Sequence, residues 1–554
     1  MELFFNNIQD MGKANIFAWP SPTFLRAKVE PNVMTQASPS LAVLLPAAGL
    51  TRLHAGLIED LRRLGLSPDL WRLAAPSRAD GLLQSGYRHL DRLLFRCAHD
   101  PFAPWSLPAG TPCHALPEGP DWPTEAIRLA KAHGLDLLVI PGRLDIPPAL
   151  AEAFPLGVLT CEHLDFATAA APEALAALAA AAPSWEPRLV WHRAGQPPRV
   201  LLRSPSAVMP LSLTRTSAPA CVKACHFVAR ALCLLRDQGE QAWESQATPL
   251  PRTNPMPPLD NTAMARFLPR LLGRHLLAAY RDIFFKPQWF LALRRGSQAG
   301  PFQFSGFTPL YPPKTQGWAD PFPFVHDGRL YLFIEQIDQA TGLGSLAVMV
   351  AGADGSFGAP RTVLAKPYHL SYPFVFAWED AIYLVPESGN AGKVELYRAK
   401  NFPLDWEPVK TLLPVRAVDT TLFPHADRWW LTTNLREDGA SSWDEMSVYF
   451  ADSPLGDFTP HPGNPVVSDV GRARPAGRVF TRDGRLYRPA QDCSGHYGRA
   501  VVINEITTLT ERDYQEVAVV RHDATNLPGS DSLHTYNAVP GLEVVDGRRY
   551  VPRL

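Results

Sequence analysis

Two hydrophobic periods divide the chain. Up to about residue 240, short unbroken apolar runs alternate with segments of helical spacing. LAVLLPA (41–47) precedes LHAGLIEDLRRLG (53–65), PTEAIRLAKAHG (123–134) precedes LDLLVI (135–140), and PPALAEAFP leads into LGVLTCEHL (156–164). Unbroken runs suit strands covered on both faces, and their alternation with helices predicts a parallel sheet in an α/β domain. From about residue 301 the period falls to two, with Gly, Asp and Pro at the turns and many aromatics. Between the halves lie the proline-rich QATPLPRTNPMPPLDN and the helical TAMARFLPRLLGRHLLAAYRDIFF (262–285). The pattern predicts an extension over 1–40, an α/β domain over 41–240, a linker and helix over 241–299, and an all-β domain over 300–554.

The second half repeats. DPFPFVHDGRLYLFIEQ (320–336), YPFVFAWEDAIYLVPES (372–388), DTTLFPHADRWWLTTN (419–434), AGRVFTRDGRLYRPAQD (476–492) and PGLEVVDGRRYVPRL (540–554) align on a central turn. An aromatic recurs after it at Tyr331, Tyr383, Trp430, Tyr487 and Tyr550, with gaps of 52, 47, 57 and 63 residues. Each unit opens as a hairpin, and Asp-Gly suits its turn because glycine accepts positive φ. Each gap holds four short strands, so five units predict a five-bladed β-propeller. The last unit stops after one hairpin, and GPFQFSGFTPL (300–310) is expected to supply its missing strands.

The alignment also sets a polar register. Eleven residues before the aromatic stand Asp320, Tyr372, Asp419 and Ala476, with His534 as the fifth counterpart. Four residues after it stand Glu335, Glu387, Asn434 and Gln491. Equivalent positions in a propeller share a radius, so these side chains are expected to converge on the central channel. Arg474, Arg478 and Arg488 cluster around the fourth unit. Arginines there are expected to grip a phosphate or uronate by paired N–H bonds. Asp492 is placed with them as a binding residue, and Trp318, Trp378 and Trp429 as faces on which a sugar ring stacks.

Composition narrows the classes. Apolar residues make up 46% and charged residues 19% of 554, as in globular proteins. Net charge is −1 with no run of five like charges, which lends no support to nucleic-acid binding or membrane-surface adsorption. No segment reads as a membrane span or signal peptide. Seven irregularly spaced cysteines imply a reducing, cytoplasmic setting, and Cys221-x3-Cys225-His226 reads as a helix face, not a zinc site. No metal or cofactor is expected.

The phrases WADPFPF, YLVPESGN, DTTLFPHADRWWLTTN, GRLYRPAQDCSGHYGRAVVINEI and LHTYNAV resemble the five-bladed glycosidase clan of arabinanases, β-xylosidases and invertase-like enzymes. They resemble more closely the N-terminal domain of the glucosamine inositolphosphorylceramide transferase family. The clan resemblance implies Asp320 as base and Asp419 as helper carboxylate. The position of the general acid falls on Ala476, leaving Glu387 or Glu335 as a displaced acid. LDLLVIPGRLDIPPALAEAFPLGVLTCEHL resembles the formyltransferase core. His163 matches its histidine, while Cys161 replaces its asparagine and DFATAAAP its basic glycine loop, which implies a degraded site. The expected function is carbohydrate handling, with a sugar, sugar nucleotide or glycolipid as ligand. Two alternatives stand beside it: an active glycosidase or glycosyltransferase using Asp320, and a sugar-amine formyltransferase.

Overall fold

The structure, a computed structural model, describes residues 38–74, 81–97, 99–251, 259–296 and 300–553. Nearly all of the expected extension lies outside them. One compact unit runs to His275 and takes in Glu437–Ser441; the other holds Leu276–Arg436 and the chain from Ser442 onward.

The first unit comprises β1 (Leu41–Pro46), α1 (Arg52–Arg63), β2 (Asp69–Leu73), α2 (Leu82–Leu94), β3 (His114–Ala115), α3 (Trp122–His133), β4 (Leu137–Ile140), α4 (Pro148–Glu152) and β5 (Val158–Cys161). It continues through α5 (Pro172–Ala179), β6 (Ser184–Trp185), β7 (Arg188–His192), β8 (Arg199–Arg203), β9 (Ser206–Ala207), α6 (Leu213–Cys225), α7 (Phe227–Gln238), α8 (Glu240–Gln246) and β10 (Thr248–Pro249). The helix α9 (Asn261–Phe284) follows. One sheet runs β10-β8-β7-β5-β4-β1-β2-β3, and β6 pairs with β9 apart from it. The strands β3, β2, β1, β4 and β5 are parallel, as the alternation predicts. The all-parallel expectation is corrected beyond β5, where β7, β8 and β10 run antiparallel. The link between β7 and β8 is too short for a crossover, so a hairpin forms instead. Leu41, Val43 and Leu45 pack on one face of the sheet; Ala42, Leu44 and Trp71 pack on the other.

The second unit holds five sheets. After β11 (Phe285–Arg295) and β12 (Thr308–Leu310), blade one is β13 (Gln316–His326), β14 (Arg329–Asp338), β15 (Gly344–Val350) and β16 (Arg361–Leu364). Blade two is β17 (Ser371–Trp378), β18 (Ala381–Glu387), β19 (Val394–Asn401) and β20 (Asp405–Leu413). Blade three is β21 (Ala417–His425), β22 (Arg428–Leu435), β23 (Glu445–Ala451) and β24 (Thr459–Pro460), with β25 (Val467–Ser468) also on β23. Blade four is β26 (Phe480–Arg482), β27 (Arg485–Asp492), β28 (Ala500–Leu509) and β29 (Tyr514–Asp523). The closing blade joins β30 (Tyr536–Val539) and β31 (Leu542–Pro552) to β11 and β12. The five-bladed propeller is therefore formed. Asp327-Gly328 (φ +48°, +70°) and Asp483-Gly484 (φ +51°, +73°) make the turns their sequence demands.

Closure differs from the expectation in two ways. The main closing strand is β11, which lies inside the segment expected to be linker and pairs with β31 along its whole length from Phe285↔Pro552 to Arg295↔Leu542. Only the short β12 comes from the 300–310 stretch. The alignment also sets a turn at Asp546-Gly547, but β31 runs straight through that pair, and the turn is Pro540-Gly541, with Gly541 at φ +82°. Glycine at 547 answers crowding instead: a Cβ there would lie 2.6 Å from Leu527 and 2.8 Å from Phe290.

Candidate functional site

The innermost strands of blades one to three share a β-bulge. Pairing slips by one residue after Ala319↔Glu335, Ser371↔Glu387 and Val418↔Asn434. The residues that absorb the slip are Asp320, Tyr372 and Asp419, at φ +48°, +46° and +51°. A non-glycine residue in that region costs about 1–3 kcal/mol, and such strain concentrates where a side chain must be aimed. On the facing strands lie Glu335, Glu387 and Asn434. Blade four adds Gln491, whose N–H donates to Arg474 O at 2.7 Å. The fifth member of this ring is Asp546, missed because the alignment put it at a turn. Its Oδ1 accepts the N–H of His534 (3.1 Å) and Thr535 (3.0 Å), and its Oδ2 accepts the N–H of Asp320 (3.0 Å).

Three polar groups occupy the ring. In the first, Asp320 accepts Thr535 Oγ1 (2.7 Å) and the Tyr372 N–H (3.0 Å). His534 bridges Asp546 Oδ2 (2.6 Å) and Asp320 Oδ1 (3.5 Å). Burial pushes the Asp320 carboxyl up to about 7, against the pull of His534. Burial would lower His534, but Asp546 and Asp320 raise it to about 9. In the second, Asp419 accepts Arg474 Nε (2.5 Å) and Gln491 Nε2 (2.9 Å). Its own N–H faces Glu387 Oε2 at 3.4 Å, and Arg474 Nη2 lies 3.6 Å from the same oxygen. Burial pushes Asp419 up to about 8, with Glu387 adding to the rise and Arg474 opposing it. In the third, Glu335 meets His369 Nε2 at 2.8 Å and raises that imidazole, against burial, to about 9.

Aromatic side chains that the sequence reading passed over lie against the first two groups. Trp289 stacks on His534 with ring centroids 4.2 Å apart, Tyr497 meets His534 edge-on at 5.3 Å, and Trp443 lies 5.9 Å from Tyr497. The Arg474 guanidinium sits 4.9 Å from the Tyr497 ring centroid. Trp289 belongs to β11, so its place was hidden by the linker expectation. The three tryptophans singled out from sequence are used in packing. Trp318 is buried with Leu291 and Leu332, while Trp378 and Trp429 pack around the blade-two core.

Several expected channel residues are committed elsewhere. The Tyr372 hydroxyl meets Thr421 Oγ1 (2.8 Å), accepts the Gly477 N–H (2.8 Å) and reaches Gly477 O (3.2 Å), tying blades two and three to the segment leading into blade four. Arg478 donates to Val375 O and lies 4.9 Å from the Phe374 ring centroid, and burial lowers it to about 10. Arg488, fully buried, grips Glu516 at 2.9 and 2.7 Å and donates to Arg472 O and Ala473 O. Asp492 accepts Arg521 Nε and the Ser494 N–H, both at 2.8 Å. These replace the expected anion grip: of the three arginines, Arg474 alone joins the carboxylate ring. Asn434 is buried and donates to Ser442 O at 3.0 Å. Ala476 packs with Phe290, Tyr487 and Val545.

In the first unit, His163 is buried, with Nδ1 3.3 Å from Arg188 O, and burial lowers it to about 4. Burial pushes the Cys161 thiol up to about 12. His226 pairs with Asp60 at 2.5 Å, and none of the seven cysteines, all among the described residues, is in a disulfide.

Two groups among the described residues bring cation-ligating atoms within 4.8 Å of one another: Asp320, His534 and Asp546, and Asp69, His114 and His133. The first fits a metal poorly, because its carboxylates hold His534 protonated and Asp546 already accepts three N–H groups.

Residues 313–536 match the domain family described as "Glucosamine inositolphosphorylceramide transferase 1, N-terminal". The rice protein (Oryza sativa subsp. japonica) named glucosamine inositolphosphorylceramide transferase 1 is 39% identical over 207 residues, covering 36% of this chain and 28% of that one. Its namesake from Arabidopsis thaliana is 37% identical over 206 residues, covering 36% and 27%. The match thus spans under a third of these relatives' length. Among solved structures, Zg3597, a family 117 glycoside hydrolase from Zobellia galactanivorans, matches at TM-score 0.31 and 13% identity, covering 48% of this chain and 90% of that one. An exo-1,5-alpha-L-arabinanase from a bovine ruminal metagenomic library matches at TM-score 0.30 and 12% identity, covering 39% and 86%.

Proposed function

Given that the C-terminal propeller resembles the N-terminal domain of the glucosamine inositolphosphorylceramide transferase family, we propose that it binds the sugar part of a glycoconjugate and serves in glycan binding or assembly. The observation that carries this reading is the carboxylate ring of Asp320, Asp419, Glu335 and Glu387 beside Trp289, Trp443 and Tyr497. Carboxylates accept hydrogen bonds from neighbouring sugar hydroxyls, and aromatic faces suit the apolar faces of pyranose rings. Ala476 offers no proton where the glycosidase clan carries its acid, which favours binding over hydrolysis. Calorimetry against neutral, amino and acidic sugars, their nucleotide forms and glycolipid headgroups tests this. Saturable binding that falls about tenfold or more in Trp289→Ala and Glu387→Gln is the expected result. Absence of saturable binding, or binding indifferent to both changes, would refute it.

One observation favours a catalytic second reading. Asp320 titrates near neutrality and is fixed by two hydrogen bonds, as a general base should be. The proton that burial keeps on Asp419 would then serve the leaving oxygen. Turnover of aryl glycosides that vanishes in Asp320→Asn supports this reading; no turnover by the unaltered protein rejects it. For the first unit we retain the degraded formyltransferase reading, because His163 is buried and bonded to a carbonyl. Formyl transfer from formyl-tetrahydrofolate to a sugar amine would overturn it.

A further inference from the structure

Helix α2 is inside out. Its buried residues are Gln84, Tyr87 and Asp91, whereas Leu82, Leu90, Leu93 and Leu94 are 87%, 54%, 47% and 60% exposed. The inner stripe has a structural task. The Asp91 carboxylate accepts the N–H of Leu213 (3.3 Å) and Thr214 (2.7 Å) and the Ser212 hydroxyl (3.2 Å) at the start of α6, and Tyr87 donates to it at 3.3 Å. With its polar side turned inward, α2 points its apolar side at solvent.

Helix α9 lies alongside. The Leu83 N–H donates to Asn261 Oδ1 (3.3 Å), Tyr87 meets Phe267 edge-on at 5.8 Å, and Phe95 stacks on His275 at 5.9 Å. Buried Met264, Phe267 and Leu271 form the inner stripe of α9. Leu272, in the part of α9 that belongs to the same unit as α2, is 59% exposed on its outer side. Together α2 and this part of α9 carry six of the seventeen large apolar side chains exposed among the described residues. Single exposed leucines need no explanation, but a concentration of this kind marks an interaction surface.

Charge identifies the partner. Arg88 and Arg92 lie on α2, and Arg96 just beyond it; Arg266 and Arg270 lie on α9, as does Arg274, which donates to Leu178 O at 3.0 Å. The one acid on α2 and on α9 up to His275 is Asp91, buried under α6. In a chain of net charge −1 this is a strong local segregation. A second copy docked on the same face would set arginine against arginine.

We infer that this two-helix face seats on an anionic lipid bilayer. The leucines enter the boundary between headgroups and acyl chains, and Arg92, Arg96, Arg266 and Arg270 lie along it with their stems on apolar surface and their guanidinium groups at lipid phosphates and carboxylates. The face lies on the bilayer and spans nothing.

Flotation of the full chain with vesicles tests the inference, using phosphatidylcholine alone and phosphatidylcholine with added phosphatidylserine. The protein is expected to float with the anionic vesicles far more than with the neutral ones, and less as salt is raised. Leu90→Asp/Leu94→Asp and Arg92→Glu/Arg270→Glu should each lower the bound fraction about tenfold while melting like the unaltered protein, since all four side chains are at the surface. Failure to float with anionic vesicles would overturn the inference. So would flotation that both double variants retain. A dimer that Leu90→Asp/Leu94→Asp converts to monomer, with no vesicle binding, would assign the face to a second copy instead.

Discussion

At the scale of single residues, the ring is a store of protons. Asp320 and Asp419 are raised by burial to about 7 and about 8, and His534 is raised by its carboxylate neighbours to about 9. Unfolded, these groups titrate at about 3.9, 3.9 and 6.5. Each pKa is higher folded than unfolded, so the native state holds more protons, and stability falls as pH rises through the folded values. Melting temperature is therefore expected to drop steadily from pH 6 to pH 8.5, a window in which ordinary carboxylates are already ionised. Asp419→Asn, which mimics the protonated acid, should flatten that slope; a slope unchanged in this variant would count against the assignment. Removing the hydroxyl in Tyr372→Phe should cost about 1–2 kcal/mol in denaturant unfolding, because the Gly477 N–H loses its acceptor. The placement of Asp320 and Asp419 was readable because each opens a repeat at the same offset from an aromatic. Asp546 was not, because Asp-Gly is a strong turn signal and only the pairing of β30 with β31 shows the turn to be Pro540-Gly541. Arg488 was misassigned for a related reason: its partner Glu516 lies two strands away, and sequence spacing cannot show it.

At the scale of elements, blade four shows what its arginine does. Arg488 and Glu516 are both buried and joined by two hydrogen bonds. Arg488→Ala strands a buried carboxylate and is expected to cost about 3–5 kcal/mol in urea titration. Replacing both partners with apolar residues should cost less than the single change. The hairpins and the five-fold repeat were readable, since alternation and turn chemistry are local. The parallel half of the first sheet was readable too, because unbroken apolar runs alternate there with helical spacing. The antiparallel edge formed by β7, β8 and β10 was not, because strand direction is set by connections and pairing partners. Helix α2 lay outside the sequence reading, and only the hydrogen bonds of Asp91 at the start of α6 show which of its sides faces inward.

At the scale of the molecule, closure decides what folds. The residue range 300–554, expected from sequence to be the whole propeller, lacks β11 and exposes the full edge of β31. A fragment of 276–554 is expected to be monomeric with a sharp unfolding transition, whereas 300–554 should aggregate or melt far lower, as gel filtration and calorimetry will show. Whole-chain charge is an average. A net charge of −1 lends no support to membrane-surface adsorption, but it averages over a face where arginines gather.

The register of the closing strands also sets the mechanics of the propeller. Phe285 and Pro552 are partners at one end of the antiparallel pair β11–β31. A pull applied between those two residues loads the seam at a single rung and peels it open like a zipper, one pair after another. Force on the two termini of the propeller therefore meets a compliant seam, while each interior blade, entered and left through its inner and outer strands, is loaded only after the ring has parted.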